Sequence, residues 1–439
     1  MNGRSIAVKV LDRITKEGAY SNIVLSNELN NSDLSDKDKA LATEIVYGTL
    51  RRLKSLDMII GSFVRDMKIM DKTILNILRI AIYQMQFLDK VPSYAACNEA
   101  VELAKTVSEK DSKLVNGILR NFVKKEGKLD IEFRNKIDEI AYELSFEPWM
   151  IKLLINQYSQ KEAIKILHGL NETPKVTVRV NNLKADYEDV YSRLEEKDYC
   201  VEEGSICPEA ISIKGGRGID SNQEFIDGNI TVQDESAMLV APLLEIEKGQ
   251  IVLDLCSAPG GKTTHIAELL ENTGEVLAFD IHAQKLDLIK ENCDRLGLTN
   301  VKLEEMDATK LNPKLVLMAD RVLIDVPCSG LGIIRKKPEI KWTKKRSELK
   351  EIVYVQRDIM NNAWEYLKKD GIMVYATCTL NKEENEENVE WFLSKYKDAQ
   401  IEKVFVGNGD NLKYNNIGTL TILPNEHMDG FFVAKFRKK

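Results

Sequence analysis

Metal-binding spacing is missing from this chain. Its seven cysteines, at 97, 200, 207, 256, 293, 328 and 378, form no C-x-x-C pair, and only four histidines accompany them. No metal site is therefore expected, zinc included. A disulfide framework is not expected at this size in a reducing compartment. Long apolar runs are also missing: Ile74 to Leu88, the longest, is broken by Asn76, Arg79, Gln84 and Gln86. It is shorter than the roughly 20 residues of a membrane span, so no membrane partner is expected. Met1-Asn2-Gly3-Arg4 leads into an amphipathic pattern rather than a signal-peptide core, which predicts a cytoplasmic protein. An overall positive charge is lacking as well. The net charge of −7 argues against wholesale coating of nucleic acid, but it is uneven: +4 over residues 1–130 and −11 over the rest. Within that acidic remainder Arg335, Lys336, Lys337, Lys341, Lys344, Lys345 and Arg346 stand against a single Glu339. Such a run is ordinarily a solvated face. Its place directly after a cysteine loop favours contact with phosphates.

At 439 residues, two or three domains are expected. Residues 1–130 read as all helix: Ala7, Val10, Leu11 and Ile14 share one face, and similar periods run through 38–65, 71–89, 93–108 and 111–125. Ser35, Asp71 and Ser93 are the expected N-caps. This is the pattern of a bundle. Residues 131–170 form a helical linker broken at Glu147-Pro148. Residues 171–237 change period. Val176-Thr177-Val178-Arg179-Val180 alternates as a strand, a helix follows over 184–196, and short strands run among Gly204, Gly215, Gly216, Gly218 and Gly228. That predicts a small α+β unit. Residues 238–439 alternate strand and helix, with strands expected at 251–255, 275–280, 300–304, 321–326 and 371–376, hence a parallel doubly wound sheet. Late strands at 401–405, 418–423 and 431–436 would extend it, one of them antiparallel. The acidic cluster Lys382 to Asn388 reads as a capped helix start.

Three motifs sit at strand ends of this last segment, where open α/β sheets bind ligands. The first is Cys256-Ser257-Ala258-Pro259-Gly260-Gly261-Lys262. Its glycines allow close backbone approach and the helix after it offers free N–H groups. It is neither GxGxxG nor a P-loop. Asp280 ends the next strand, where a carboxylate can grip ribose hydroxyls. Asp307 follows the third strand and could accept from an adenine amino group; Asp325 ends the fourth. A lone Asp there is ordinarily an N-cap. The repeated position favours a nucleoside ligand without phosphates, and S-adenosylmethionine fits.

The other two motifs are Asp325-Val326-Pro327-Cys328-Ser329-Gly330 and Thr377-Cys378-Thr379. Cytosine is a poor nucleophile at C5. A thiolate adding to C6 makes C5 electron-rich enough to take a methyl group, and a carboxyl group at the N3–N4 edge stabilises the adduct. Cys378, Cys328 and Asp325 supply that inventory. Cys256 and Cys293 read as buried structural thiols, and Cys97, Cys200 and Cys207 carry no context.

These motifs resemble the paired-cysteine signature of RNA cytosine-C5 methyltransferases, and Cys256–Lys262 resembles their cofactor motif. Arg335–Trp342, Gln356 and Met428-Asp429-Gly430-Phe431-Phe432 match the same pattern. Arg179-Val180-Asn181 resembles the small RNA-binding module that precedes that catalytic domain. Glu44–Arg51 and Leu114–Arg120 resemble the NusB-like RNA-binding domain. NusB-like and catalytic domains fused are the arrangement of the bacterial Sun (RsmB-type) 16S rRNA cytosine-C5 methyltransferases. The resemblance implies an all-α NusB-like bundle, a small α+β RNA-binding unit and a Rossmann-like class I methyltransferase domain. It implies S-adenosylmethionine held by Cys256, Ser257, Ala258, Pro259, Gly260, Gly261, Lys262, Asp280, Asp307 and Asp325. It implies Cys378 as nucleophile on C6, Cys328 as the thiol that helps release the product, Asp325 at the cytosine edge and Lys262 lining the site. The implied partner is 16S rRNA rather than DNA, with the target base flipped out or in a loop. Tyr375, Trp342 and Phe431 are stacking candidates whose ordinary role is core packing. A monomer is expected.

Three alternatives stay open on the residues alone. DNA-type methylation would make Cys328 the nucleophile and leave Cys378 without purpose. A transfer RNA could be the substrate. The chain could also be a non-catalytic RNA-binding assembly factor.

Overall fold

The computed structural model describes residues 2–125, 131–214 and 218–439. Gly215 and Gly216, two of the glycines among which short strands are expected, lie outside the described residues. The chain divides into two units. One holds the chain up to Asn171 together with Ile334–Arg346; the other holds Glu172–Ile333 and Ser347–Lys439.

The first unit is helical. Helices run over Gly3–Glu17, Ser21–Asn30, Asp36–Gly61, Lys72–Phe87, Ser93–Lys105 and Glu109–Lys124, then Lys136–Leu144, Pro148–Tyr158 and Gln160–Gly169. Ala7, Val10, Leu11 and Ile14 are all buried, as their spacing requires, and pack with Ile45, Val46, Leu50, Ile77 and Leu119 in one core. Ser35 accepts from the Asp38 amide and Asp71 from those of Thr73 and Ile74, so both caps form. Ser93 does not cap. The helix starts at Ser93 itself, behind an extended Pro92 in the N-cap position and without a side-chain cap. Gly48 is required by packing: a Cβ there would lie 2.0 Å from the Tyr83 ring, whose hydroxyl donates to Glu44 at 2.6 Å.

The basic run corrects the phosphate expectation at two of its residues. Arg335 and Lys341 are buried, and Lys341 is completely so. Lys341 Nζ donates to Arg51 O (3.1 Å), Ser145 O (3.0 Å) and Asn171 Oδ1 (2.5 Å), with the Phe146 ring 3.8 Å away. Burial, then the nearby Arg52 and Arg51 charges, push this amine well below its ordinary pKa. The three acceptors pull the other way and use every donor an ammonium has. Trp342 Nε1 donates to Leu50 O at 2.8 Å, and Ser21 donates through both N and Oγ to Glu339. Ile334–Arg346 is thus a structural segment of the helical unit.

In the second unit, β1 (Val176–Val180), β2 (Cys200–Glu203), β3 (Ala210–Lys214) and β4 (Ile230–Val232) form an antiparallel sheet in the order β2-β3-β1-β4, with the helix Tyr187–Glu195 packed on it. The Arg179-Val180-Asn181 motif faces inward. Arg179 pairs with Glu268 through two hydrogen bonds (2.7 and 3.1 Å), bonds Gln233, and donates to Gly261 O at 3.0 Å. Asn181 donates to Gly228 O and Leu296 O. The motif clamps the small sheet onto the helices Gly261–Leu269 and Ala283–Leu296.

The large sheet comprises β5 (Ile251–Asp254), β6 (Glu275–Asp280), β7 (Val301–Glu305), β8 (Ala319–Asp325), β9 (Leu367–Thr377), β10 (Ala399–Glu402), β11 (Leu412–Tyr414), β12 (Leu420–Ile422) and β13 (Phe431–Lys438). Its order is β11-β12-β13-β9-β8-β5-β6-β7, with β10 on β13. β5 to β9 pair in parallel. The sequence expectation of one antiparallel strand falls short, because the β13, β12, β11 and β10 pairings are all antiparallel. β11, only three residues long, carries too little pattern to read. Among the described residues no helix is long and apolar enough to cross a membrane.

Replacing Lys341 by Ala leaves one buried acceptor, Ser145 O, and two part-buried ones without this donor, and an unmet buried acceptor costs about 1–3 kcal/mol. The expected result is a clear fall in the thermal unfolding midpoint followed by circular dichroism. A phosphate-contact role alone would leave the melt unchanged and weaken RNA binding.

Candidate active site

Strand order sets the place of the site. The chain runs β5, β6, β7 to one side and returns through β8 to the other side of β5, which opens a crevice at the carboxyl ends of β5 and β8. The Cys256–Lys262 loop leaves β5 there. Ser257 N and Oγ both donate to Phe279 O (2.9 and 2.8 Å), tying the loop to β6. Gly260, at φ +101°, donates to Ser257 O at 2.8 Å, and a Cβ on it would press on Ile289 at 3.1 Å. Only glycine suits that position.

Beside the loop lies a pocket lined by the carboxylates of Asp280, Asp307 and Asp325 and by Ile281, Met306 and Ile359; Cys256 and Ala258 border it. Asp280 accepts from Ala258 N (3.3 Å) and His282 N (3.0 Å). Asp307 accepts from Thr309 N and Oγ1, and these bonds with Lys310 hold its carboxyl below the usual range. Burial pushes the Cys256 thiol well up, as a structural thiol requires. Three carboxylates around an apolar slot suit a nucleoside and repel phosphates.

The reactive end adjoins the pocket at Asp325. The Cys328 and Cys378 sulfurs lie 3.0 Å apart. The hydrogen bond to Cys378 comes first among the causes that push the Cys328 thiol well above its ordinary pKa; burial and the charges of Cys378, Glu384 and Asp325 add to it. Lys262 Nζ pairs with Asp325 Oδ2 at 2.6 Å, over the Phe431 ring at 5.2 Å. Burial disfavours the Lys262 ammonium, but the charges of Asp325 and Cys378 outweigh it, and its pKa stands raised. Gly332 N donates to Cys378 O and Gly430 N to Gly332 O, each at 2.9 Å. A Cβ on Gly332 would meet Gly430 O at 2.0 Å, so glycine there lets the Met428–Phe432 segment close on the Cys378 strand end.

The structure thus brings Cys328, Cys378, Asp325 and Lys262 together, with Asp280 and Asp307 along the adjoining pocket. Ser257, Pro259, Gly260 and Gly261 build the loop backbone. The stacking candidates fall to their ordinary role. Tyr375 and Phe431 are buried in the core, and Trp342 is half-buried in the helical unit. One group escaped the sequence reading. The helix expected to start within Lys382–Asn388 begins at Glu386, and Glu384, Asn385 and Asn388 are buried in polar contacts behind the cysteines. Asn385 accepts from Thr377 Oγ1 (2.6 Å) and donates to Thr379 O (2.9 Å), bracketing Cys378. The only available signal was so polar a run directly after Thr-Cys-Thr.

Asp254, the acidic residue at the end of β5, is buried and does not line the pocket. Fully buried under the loop, it accepts from Thr263 Oγ1 at 2.7 Å, and burial raises its carboxyl from 3.8 to about 7. Below the unfolded value the group is protonated in both states. As pH rises, the unfolded chain ionises first, so stability is lost until the folded value is passed. Asp254→Asn removes that loss. Urea unfolding at about pH 5 and about pH 7.5 is expected to show the wild type falling relative to the variant, at up to about 1.4 kcal/mol per pH unit.

Comparison with known proteins places this arrangement. The sequence profile "16S rRNA methyltransferase RsmB/F" matches residues 241–437, "NusB family" matches 1–124, and "Methyltr_RsmF/B-like, ferredoxin-like domain" matches 146–220. "Probable ribosomal RNA small subunit methyltransferase B" of Bacillus subtilis (strain 168) is 37% identical over 99% of this chain and 98% of its own. "Ribosomal RNA small subunit methyltransferase B" of Proteus mirabilis is 33% identical over 100% and 99%. Among solved structures, the crystal structure of PH0851 superposes with TM-score 0.85 at 27% identity, covering 100% of this chain and 99% of that one. NSun6 from Pyrococcus horikoshii with SFG gives 0.61 at 26% identity, over 68% of this chain and 99% of its own. With helical, ferredoxin-like and Rossmann-like parts matched in order along its whole length, the chain belongs to the ribosomal RNA small subunit methyltransferase B family and is an S-adenosylmethionine-dependent rRNA methyltransferase.

Proposed function

We propose that the protein methylates C5 of a cytosine in 16S rRNA through a covalent bond between Cys378 and C6, broken with help from Cys328. The observation that carries this is the pair of sulfurs 3.0 Å apart beside the Lys262–Asp325 pair at the end of the nucleoside pocket.

The pocket fits S-adenosylmethionine by the chemistry of its donors: Asp280 and Asp307 for ribose and adenine, an apolar slot for the ring, and loop backbone beside it. Ser257, Ala258, Pro259, Gly260 and Gly261 would hold it through the loop, with Cys256, Lys262 and Asp325 at its reactive end. When bound, the cofactor supplies an electrophilic methyl group.

Cys328 keeps its proton, and Cys378, 3.0 Å away and with its own proton given up to solvent, is the sulfur that attacks. The Cys378 sulfur forms a bond to C6 and the C5–C6 double bond opens toward C5. Asp325 holds the N3–N4 edge, where the added electron density collects, with Lys262 adjoining it. C5 takes the methyl group. A base then removes the C5 proton, the electron pair restores the double bond, and the C6–S bond breaks; Cys328 protonates the departing sulfur. Adduct formation is thus assigned to Cys378 and its breakdown to Cys328.

Residues 1–130 and 171–237 would select the RNA, 131–170 would link them, and 238–439 would carry the reaction, in a cytoplasmic monomer. The NusB match and the small-subunit names of the relatives favour 16S rRNA over transfer RNA. The DNA-type assignment, with Cys328 attacking, is disfavoured because it leaves Cys378, whose sulfur lies 3.0 Å from that of Cys328, without a role.

Incubation with 16S rRNA and S-adenosylmethionine, followed by a denaturing gel, tests the roles. Cys328→Ala should run as a slow protein–RNA adduct and Cys378→Ala should show neither adduct nor 5-methylcytosine by nucleoside mass spectrometry. Adduct from Cys378→Ala would reverse the assignment. Asp280→Ala should weaken S-adenosylmethionine binding at least about tenfold, about 1.4 kcal/mol, by calorimetry; unchanged affinity would remove Asp280 from the site.

A further inference from the structure

Behind the two cysteines sits a buried carboxylate that the reaction above does not use. Glu384 is 0% exposed. Its Oε1 accepts from Ser329 Oγ (2.5 Å) and Asn381 Nδ2 (3.0 Å), and its Oε2 from Ser329 N (2.8 Å) and Gln356 Nε2 (3.0 Å). Gln356 Nε2 also donates to Pro327 O at 3.0 Å. The residues on both sides of Cys328 are therefore held by one carboxylate and its amide neighbour. Ser329 Oγ lies 2.7 Å from Thr379 Oγ1, so the residue after each cysteine touches the residue after the other. The anchorage continues outward. Asn388 Nδ2 donates to Gln356 Oε1 (2.8 Å) and Tyr375 OH to Glu384 O (2.5 Å).

Burying a carboxylate is costly unless its lone pairs are satisfied. Here four donors meet two oxygens, and two of the four come from Ser329, beside Cys328. A group needed only to start the helix at Glu386 would reach that helix's amides. Glu384 reaches the Cys328 loop, 55 residues away in sequence.

We propose that Glu384 is a positioning residue of the methyl transfer: its carboxylate fixes the Cys328 loop against the Cys378 strand end and so sets the meeting of the two sulfurs. This rests on the reading of Cys328 as the release thiol. Its charge has a second effect, since it is among the influences that hold the Cys328 proton in place. Glu384→Gln keeps the shape, removes that charge and turns one acceptor oxygen into a donor facing donors. The Cys328 loop then loosens and its thiol ionises more readily.

The test uses the full chain. In the resting protein, iodoacetamide labelling of Cys328 and Cys378 is followed by peptide mass spectrometry across a pH series. Methyl transfer and adduct on 16S rRNA, and S-adenosylmethionine affinity, are measured alongside. Glu384→Gln is expected to label Cys328 at least about fivefold faster near neutral pH, because labelling follows the thiolate fraction. Turnover should fall at least about tenfold with adduct accumulating, while cofactor affinity stays within about twofold. Wild-type labelling and turnover in folded Glu384→Gln overturn the proposal. If that variant fails to fold, Ser329→Ala, which removes one contact and keeps the charge, decides: faster Cys328 labelling supports the proposal and wild-type labelling overturns it. Faster labelling in Glu384→Gln combined with no adduct in Cys328→Ala keeps the positioning role and sinks the release reading.

Discussion

The contact between Cys328 and Cys378 is the constraint from which the catalytic unit takes its form. Two sulfurs at 3.0 Å require that the ends of β8 and β9, neighbours in the sheet but 50 residues apart in sequence, present one side chain each to the same point. The parallel register Asp325↔Ala376 brings those ends level. Gly332 lets the loop after Cys328 turn back to within hydrogen-bond reach of Cys378, and Gly430 closes on it from the other side. A methyl group at Gly332 would part these segments.

Charge is arranged along the same edge with opposite aims. At the pocket Asp280 and Asp307 stay accessible to a ligand. Under the loop Asp254 is buried, which makes its ionisation costly. Between them Lys262 and Asp325 pair, each limiting the burial cost of the other. The Cys328 thiol, hydrogen-bonded to Cys378 and near Glu384 and Asp325, is held well above its ordinary pKa.

Much of this was legible in the sequence because it resides in local pattern. β5, β6, β8 and β9 are short apolar runs ending in an aspartate or a Thr-Cys, and helical periods marked the first unit from Ala7 onward. What stayed illegible depends on distant partners. Lys341 looks like any lysine in a basic run; only the fold shows three carbonyl-type oxygens converging on it from Arg51, Ser145 and Asn171. Glu384 looks like a helix start because its ligand, the Ser329 amide, lies far back in the chain. Ser93 looked like a cap because the sequence does not show that the helix begins one residue earlier, at Ser93 itself. β11 is too short for alternation to show. Polar residues read from sequence default to the surface, and the Lys341 and Glu384 errors come from polar side chains whose contacts are tertiary.

The central claim is that Cys378, not Cys328, bonds to the base. It is tested most directly on the wild-type protein with 16S RNA carrying 5-fluorocytidine, whose C5 has no proton for a base to remove, so the adduct cannot break down after methyl transfer. Digestion of the trapped complex and mass spectrometry then identify the modified peptide. The account predicts the nucleotide on the peptide containing Cys378 and an unmodified Cys328. A nucleotide on Cys328 would contradict it.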